Sequence, residues 1–117
     1  MKLKPDELLK LLSDTTRLRS LMLMLDEGEL CVCELTHALK EIQPKISRHL
    51  AALRDNQVVL DRRSGQWIYY RINPRLPTWA VDMLKATLAG MKRDKRYMDD
   101  RKRLIAMPDR PENRICA

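Results

Sequence analysis

Two thiols stand one residue apart in Leu30-Cys31-Val32-Cys33-Glu34-Leu35. Thiolates prefer soft, thiophilic centres, so a pair at this spacing can clamp a single soft ion. A place near a helix start eases deprotonation, while Asp26, Glu27, Glu29 and Glu34 nearby oppose it. Residues i and i+2 of a regular α-helix point to different sides. Both sulfurs therefore meet one ion only if the helix start unwinds or bends, and ligand binding is expected to strain that helix. Three uses fit the pair: small apolar packing, a redox switch whose bridge between near neighbours is strained, or the sensing of a metal or metalloid. Spacing alone does not choose among them. Cys116 is a third thiol, on a tail that extends about 26 Å from Pro108. That reach allows it either to join the pair or to remain free.

A second chemistry follows at once in the chain. Gln43, Lys45, Ser47, Arg48 and His49 cluster at the start of an expected helix whose buried stripe is Ile46, Leu50 and Leu53. A helix fits the DNA major groove, and residues near its N-terminus reach base edges. Gln pairs with adenine and Arg with guanine. Ala51 and Ala52 would not hold the backbone away. His49 lies beside the apolar ridge and suits packing as well as reading. Arg62, Arg63 and the more weakly indicated Gln66 sit on a following hairpin, where phosphate contacts give affinity without sequence information.

The elements that position these residues follow from periodicity. Pro5 opens a first helix, with Leu8, Leu9, Leu11 and Leu12 on its apolar side. Ser13 or Asp14 caps a second, in which Leu18, Leu21, Met22 and Leu25 share a face, and Gly28 ends it. A short third helix runs from about Leu30 to Lys40, and Pro44 takes the first position of the fourth. Val58-Val59-Leu60 and Gln66 to Ile72 read as strands, joined by a two-residue turn at Ser64-Gly65. From Thr78 one helix is expected to continue through Tyr97 and Leu104 to about Met107. Its stripe of Ala80, Met83, Leu84, Leu88 and Met91 exceeds what so small a domain can cover, and with Leu8 and Leu12 it suggests a dimer interface. The expected fold is mainly α with a small β-hairpin, a winged helix-turn-helix in the order ααααββα that dimerises through its terminal helices. Residues 1–107 form the DNA-binding and dimerisation domain, and 108–117 a flexible tail.

Composition narrows the function. The 117 residues carry a net charge of +7, which points to a polyanion such as nucleic acid. The N-terminus lacks a signal peptide's apolar core, and no apolar run is long enough to span a bilayer. The chain is expected in the cytoplasm and off membranes, where three cysteines serve reactivity or metal binding rather than disulfides. The only histidines are His37 and His49, and neither an HExxH nor a paired CxxC motif occurs. No nucleophile–base constellation is legible, so an enzyme is not expected.

Glu29-Leu30-Cys31-Val32-Cys33-Glu34-Leu35, followed by Gln43-Pro44-Lys45-Ile46-Ser47-Arg48-His49-Leu50, closely resembles the ArsR family of arsenic-responsive repressors. Leu12-Ser13-Asp14-Thr15-Thr16-Arg17-Leu18 and Asp61-Arg62-Arg63-Ser64-Gly65-Gln66-Trp67 are similar to it too. The resemblance implies a homodimeric winged-helix repressor on the operator of a metal-resistance operon. It implies As(III) or Sb(III) as inducer, bound by the third-helix cysteines and releasing the DNA, with no catalytic cofactor. Zinc-sensing relatives use His and Asp on the last helix, and here that helix offers Asp82 without a histidine. The better-known arsenic sensors carry a third cysteine where this chain has Thr36. The third ligand is then water, an exogenous thiol or Cys116. Alternatives are a sensor of another thiophilic ion or of thiol redox state, and a cysteine-based metal buffer. The buffer does not need the reader face, and a basic DNA-packaging protein does not need the thiols.

Overall fold

The structure, a computed structural model, describes residues 2–111. Its elements run α1 (Pro5–Leu12), α2 (Thr15–Glu27), β1 (Leu30–Cys31), α3 (Val32–Leu39), α4 (Gln43–Asp55), β2 (Val59–Ser64), β3 (Trp67–Ile72), α5 (Thr78–Met91) and α6 (Lys95–Ile105). The helix-turn-helix of α3 and α4 and the β2–β3 wing are as expected. Pro44 takes the second position of α4 rather than the first.

Three further details differ from the sequence reading. Leu30 and Cys31 form a strand, not the start of a helix. They pair antiparallel with Tyr70 and Tyr69 of β3, giving a sheet ordered β1-β3-β2. The hairpin turn is Gly65-Gln66, because Ser64 still pairs with Trp67. Gly65 takes the positive φ of 59° that this turn requires and that Gly adopts without steric cost. The last helix is two helices. The apolar stripe lapses at Lys92-Arg93, and the Asp94 carboxylate accepts the N–H groups of Arg96 and Tyr97, starting α6 afresh.

Helix α2 is the centre of the molecule. Asp14 caps it, accepting from the N–H groups of Thr16 and Arg17 at 2.8 and 3.0 Å. Leu21, Met22, Leu23 and Met24 are all buried, so α2 is covered on most of its circumference. One apolar core runs from Leu8 to Leu104. Helix α6 locks onto α2 through charge, and both onto the end of α3 through hydrogen bonds. The buried Asp100 accepts from Arg19 at 2.6 and 2.7 Å and from Arg103 at 2.8 Å. The same two arginines donate to the carbonyls of Leu39 and Ala38, where α3 ends. The C-terminal end of α3 is therefore held from two sides.

Candidate thiol site and nucleic-acid interface

Cys31 belongs to the sheet and to the helix at once. It is the last residue of β1 and the N-cap of α3, with extended φ −80° and ψ 153°. Cys33 lies in the first turn of α3. The change from extended to helical backbone between them turns both side chains the same way, and their Sγ atoms lie 3.1 Å apart. The expected need to unwind the helix is thus corrected: the N-cap is non-helical already, and the sulfurs converge without bending.

Cys31 is buried and Cys33 half-buried. Burial pushes the Cys33 thiol up to about 12, helped by its hydrogen bond with Cys31 and by the negative charge of Cys31 and Glu34. Glu34 is wholly buried. Its Oε1 accepts the Cys31 N–H at 2.7 Å, and its Oε2 accepts from Arg110 Nε. Arg110, on the stretch expected to be tail, is thereby an anchor. Cys116 lies outside the described residues. Among the described residues no group of three or more His, Cys, Asp or Glu side chains is arranged to hold a metal ion. Thr36, in place of a third thiol, donates its hydroxyl to the Val32 carbonyl at 2.8 Å.

The thiols open into a groove of about 700 Å³. Cys31, Cys33 and Thr36 form one wall, Gln43, Ser47 and Ala51 of α4 another, and Gln66, Trp67 and Ile68 of the wing a third. Thiol site, reader helix and wing therefore share one space.

The reader residues separate by environment. Gln43 and Arg48 are exposed, and Ser47 is half-buried on the groove. Lys45 is half-buried and pairs with Glu41 at 3.0 Å. His49 is the exception to the sequence reading. It is 9% exposed and turned inward, because Ile46 and Leu50 on either side carry that face into the core. Arg17 Nη1 lies 3.2 Å from its Nδ1, and Asp14 Oδ1 lies 3.7 Å from its Nε2. Arg has only donors, so Nδ1 accepts and the neutral ring carries its proton on Nε2. His49 thus ties α4 to the start of α2. Burial lowers its pKa, as do Arg17, Arg48 and Lys45, while Asp14 opposes them.

On the wing, Arg63 and Gln66 are exposed. The Arg62 guanidinium is already engaged: it donates to Glu29 at 2.8 and 2.6 Å and lies 4.5 Å from the centre of the Tyr69 ring. It joins the wing to the residue just before β1.

Six of the residues assigned to a dimer interface, Leu8, Leu12, Ala80, Leu84, Leu88 and Met91, are buried within the chain itself, and Met83 is half-buried. The stripe on α5 is real, but it packs on α2. Arg17, Glu29, Glu34 and Arg110 were not singled out as site residues by the sequence reading. Glu34 had a local signal, standing three residues after an N-cap as in a capping box. Glu29 and Arg110 had none, since their partners lie 33 and 76 residues away.

The model of the bacterial regulatory protein arsR family matches residues 14–59. An arsenic resistance transcriptional regulator of Pseudomonas putida is 51% identical over 113 residues, 96% of each chain. The arsenical resistance operon repressor of Escherichia coli is 50% identical over 82 residues, 70% of each chain. Among solved structures, the antimony-specific transcriptional repressor AntR is similar at a TM-score of 0.62 and 28% identity, covering 79% of this chain and 86% of its own. HlyU of Vibrio cholerae is similar at 0.61 and 34%, covering 68% and 83%. The first three of these are by name transcriptional regulators or repressors, a non-enzymatic family, and the winged-helix fold of this chain is shared with the two solved structures. Among the described residues no helix is long and apolar enough to cross a membrane.

Proposed function

We propose that this chain, which belongs to the bacterial arsR family of regulatory proteins, is a homodimeric repressor that leaves its operator when trivalent arsenic or antimony binds Cys31 and Cys33. The observation that carries this reading is the 3.1 Å contact of the two sulfurs inside a groove walled by α4 and the wing. A ligand on both sulfurs enters the space that the DNA-reading elements border. It also pulls on Cys31, whose strand pairs with β3 of the wing. Making room displaces Gln43 and Ser47 or the wing from their DNA-binding positions. Ligand then favours the form that does not bind DNA, and by linkage DNA weakens the ligand.

Proton balance supports a metalloid over a divalent cation. Trivalent arsenic and antimony reach the site as neutral hydroxides. Each thiol proton leaves with a hydroxide as water while a sulfur–metalloid bond replaces the metalloid–oxygen bond. No free thiolate is required. A divalent cation must instead displace the proton from a Cys33 thiol raised to about 12. The third position keeps its hydroxide, or exchanges it for an exogenous thiol or Cys116 with release of one more water. The homodimer uses the outer faces of α1 and α5, where Leu9 is exposed and Met83 half-buried. Gln43, Ser47 and Arg48 read bases, while Lys45, Arg63 and Gln66 contact the backbone.

Operator binding measured with and without arsenite tests the mechanism. Wild type is expected to release DNA, and Cys33→Ser to stay bound at the same arsenite concentration. Retained release in Cys33→Ser sinks the thiol mechanism. Unchanged release in Cys116→Ser removes the tail from the site.

A further inference from the structure

Ile42, at 69%, is the most exposed large hydrophobic side chain among the described residues. It is also the N-cap of α4, with extended φ −74° and ψ 148° and no side-chain cap hydrogen bond. Helices α1, α3 and α5 also start without a side-chain cap hydrogen bond, but none of their N-caps is an exposed branched apolar residue. α2 and α6 begin at Asp14 and Asp94, and each carboxylate accepts two backbone N–H groups. Ser, Thr, Asp and Asn are favoured at such a position, and a branched apolar residue ranks far below them. Ile42 is therefore neither buried in the core nor useful as a cap. Folding gives no reason for it.

Its location gives one. In a helix-turn-helix the N-terminal residues of the second helix meet base edges, and the family match over residues 14–59 contains Ile42. Exposed Gln43 and Pro44 follow it directly, with Arg48 further along the same helix. At a base edge in the major groove, the apolar group available to such a side chain is the C5-methyl of thymine.

We propose that Ile42 is a specificity-determining residue that packs on a thymine methyl group in the major groove, and that the missing cap of α4 is the consequence. This rests on the reading of α4 as the DNA-reading helix. The residue is solvent-exposed, so its replacement leaves the core intact.

The test pairs a protein change with the deletion of one methyl group from DNA. A preferred duplex is selected with wild-type protein from random-sequence DNA, and each thymine is replaced in turn by deoxyuridine. Affinities of wild type and Ile42→Ala are measured by fluorescence anisotropy at one salt concentration. Wild type is expected to lose about fourfold at one or two thymines, from ~0.8 kcal/mol per methyl-sized group at 1.4 kcal/mol per tenfold. Ile42→Ala is expected to bind the all-thymine duplex less well and to lose nothing further at those positions. Equal sensitivity of the two proteins at every thymine overturns the proposal, as does indifference of wild type to every methyl. If no preferred duplex can be selected, the DNA-reading assignment of α4 fails, and this proposal with it.

Discussion

The two helices of the helix-turn-helix begin in opposite ways. The start of α3 is fastened: Cys31 pairs with Tyr69 in the sheet, its N–H donates to Glu34, and Glu34 holds Arg110 from the C-terminal end of the described chain. The start of α4 is open: Ile42 offers no cap, and it, Gln43 and Pro44 are exposed. The difference separates two tasks. At the α3 end the sulfur positions are set before any ligand arrives, which lowers the ordering cost of binding. At the α4 end the backbone N–H groups and an apolar side chain are left for an external partner. Cys31 is both thiol and sheet residue, so a ligand held there is joined directly to the wing.

Removing the main fastening should have the largest effect. Glu34 is fully buried and the Arg110 side chain is 9% exposed. Glu34→Ala takes the buried carboxylate away from that guanidinium and uncaps Cys31, so a loss of about 3–5 kcal/mol is expected, the usual result of deleting one partner of a buried pair. Urea denaturation measures it. A loss below about 1 kcal/mol, typical of a surface pair, would mean that α3 is not held by this residue and that its thiols are placed by the sheet alone.

The opposite change at the α4 start should be smaller and of opposite sign. Ile42→Ser supplies the missing cap. A gain of about 1 kcal/mol is expected, the usual worth of a Ser or Thr cap, visible as a higher urea midpoint. No gain would mean that the free N–H groups of α4 are already satisfied and that its start is less open than its side chains suggest.

This contrast was only partly legible in the sequence. The apolar stripes on α2 and α4, the cap at Asp14 and the wing alternation are local patterns, and they gave the helix-turn-helix and its neighbours. The start of α3 was misread because β1 is two residues long and exists only through pairing with Tyr69 and Tyr70. No local period reports partners 38 and 40 positions away. That misreading produced the expectation of a helix that must bend to bring its sulfurs together. The division of α5 from α6 was available in Asp94, a good N-cap, but the resumption of apolar spacing at Tyr97 and Leu104 masked it. The α5 stripe was read correctly as apolar and wrongly as surplus, because the extent of α2's burial is a tertiary fact. Ile42 drew no notice in the sequence, since an apolar residue in a turn becomes unusual only when its exposure is known.

The smallest expected effect concerns what holds α4 once its start is free. The structure puts that hold in mid-helix, at His49, wedged between Arg17 and Asp14. Burial outweighs the pull of Asp14 and lowers the His49 pKa from its ordinary 6.5. A depressed histidine is neutral in the fold while the unfolded chain still takes up a proton. Its contribution to stability is therefore fully present above pH 6.5 and lost as pH falls through the lower folded value. Asp14 itself, lowered from 3.8, does not titrate in this window. The expected outcome is a wild-type unfolding free energy that declines more steeply than that of His49→Gln between about pH 7 and pH 5. Gln keeps an acceptor for Arg17 without the titration. Superimposable pH profiles would show that Asp14 cancels the burial, so that α4 is held by Ile46, Leu50 and Leu53 alone. A steeper wild-type profile would place the pH-sensitive part of the reader's support on the face turned away from DNA.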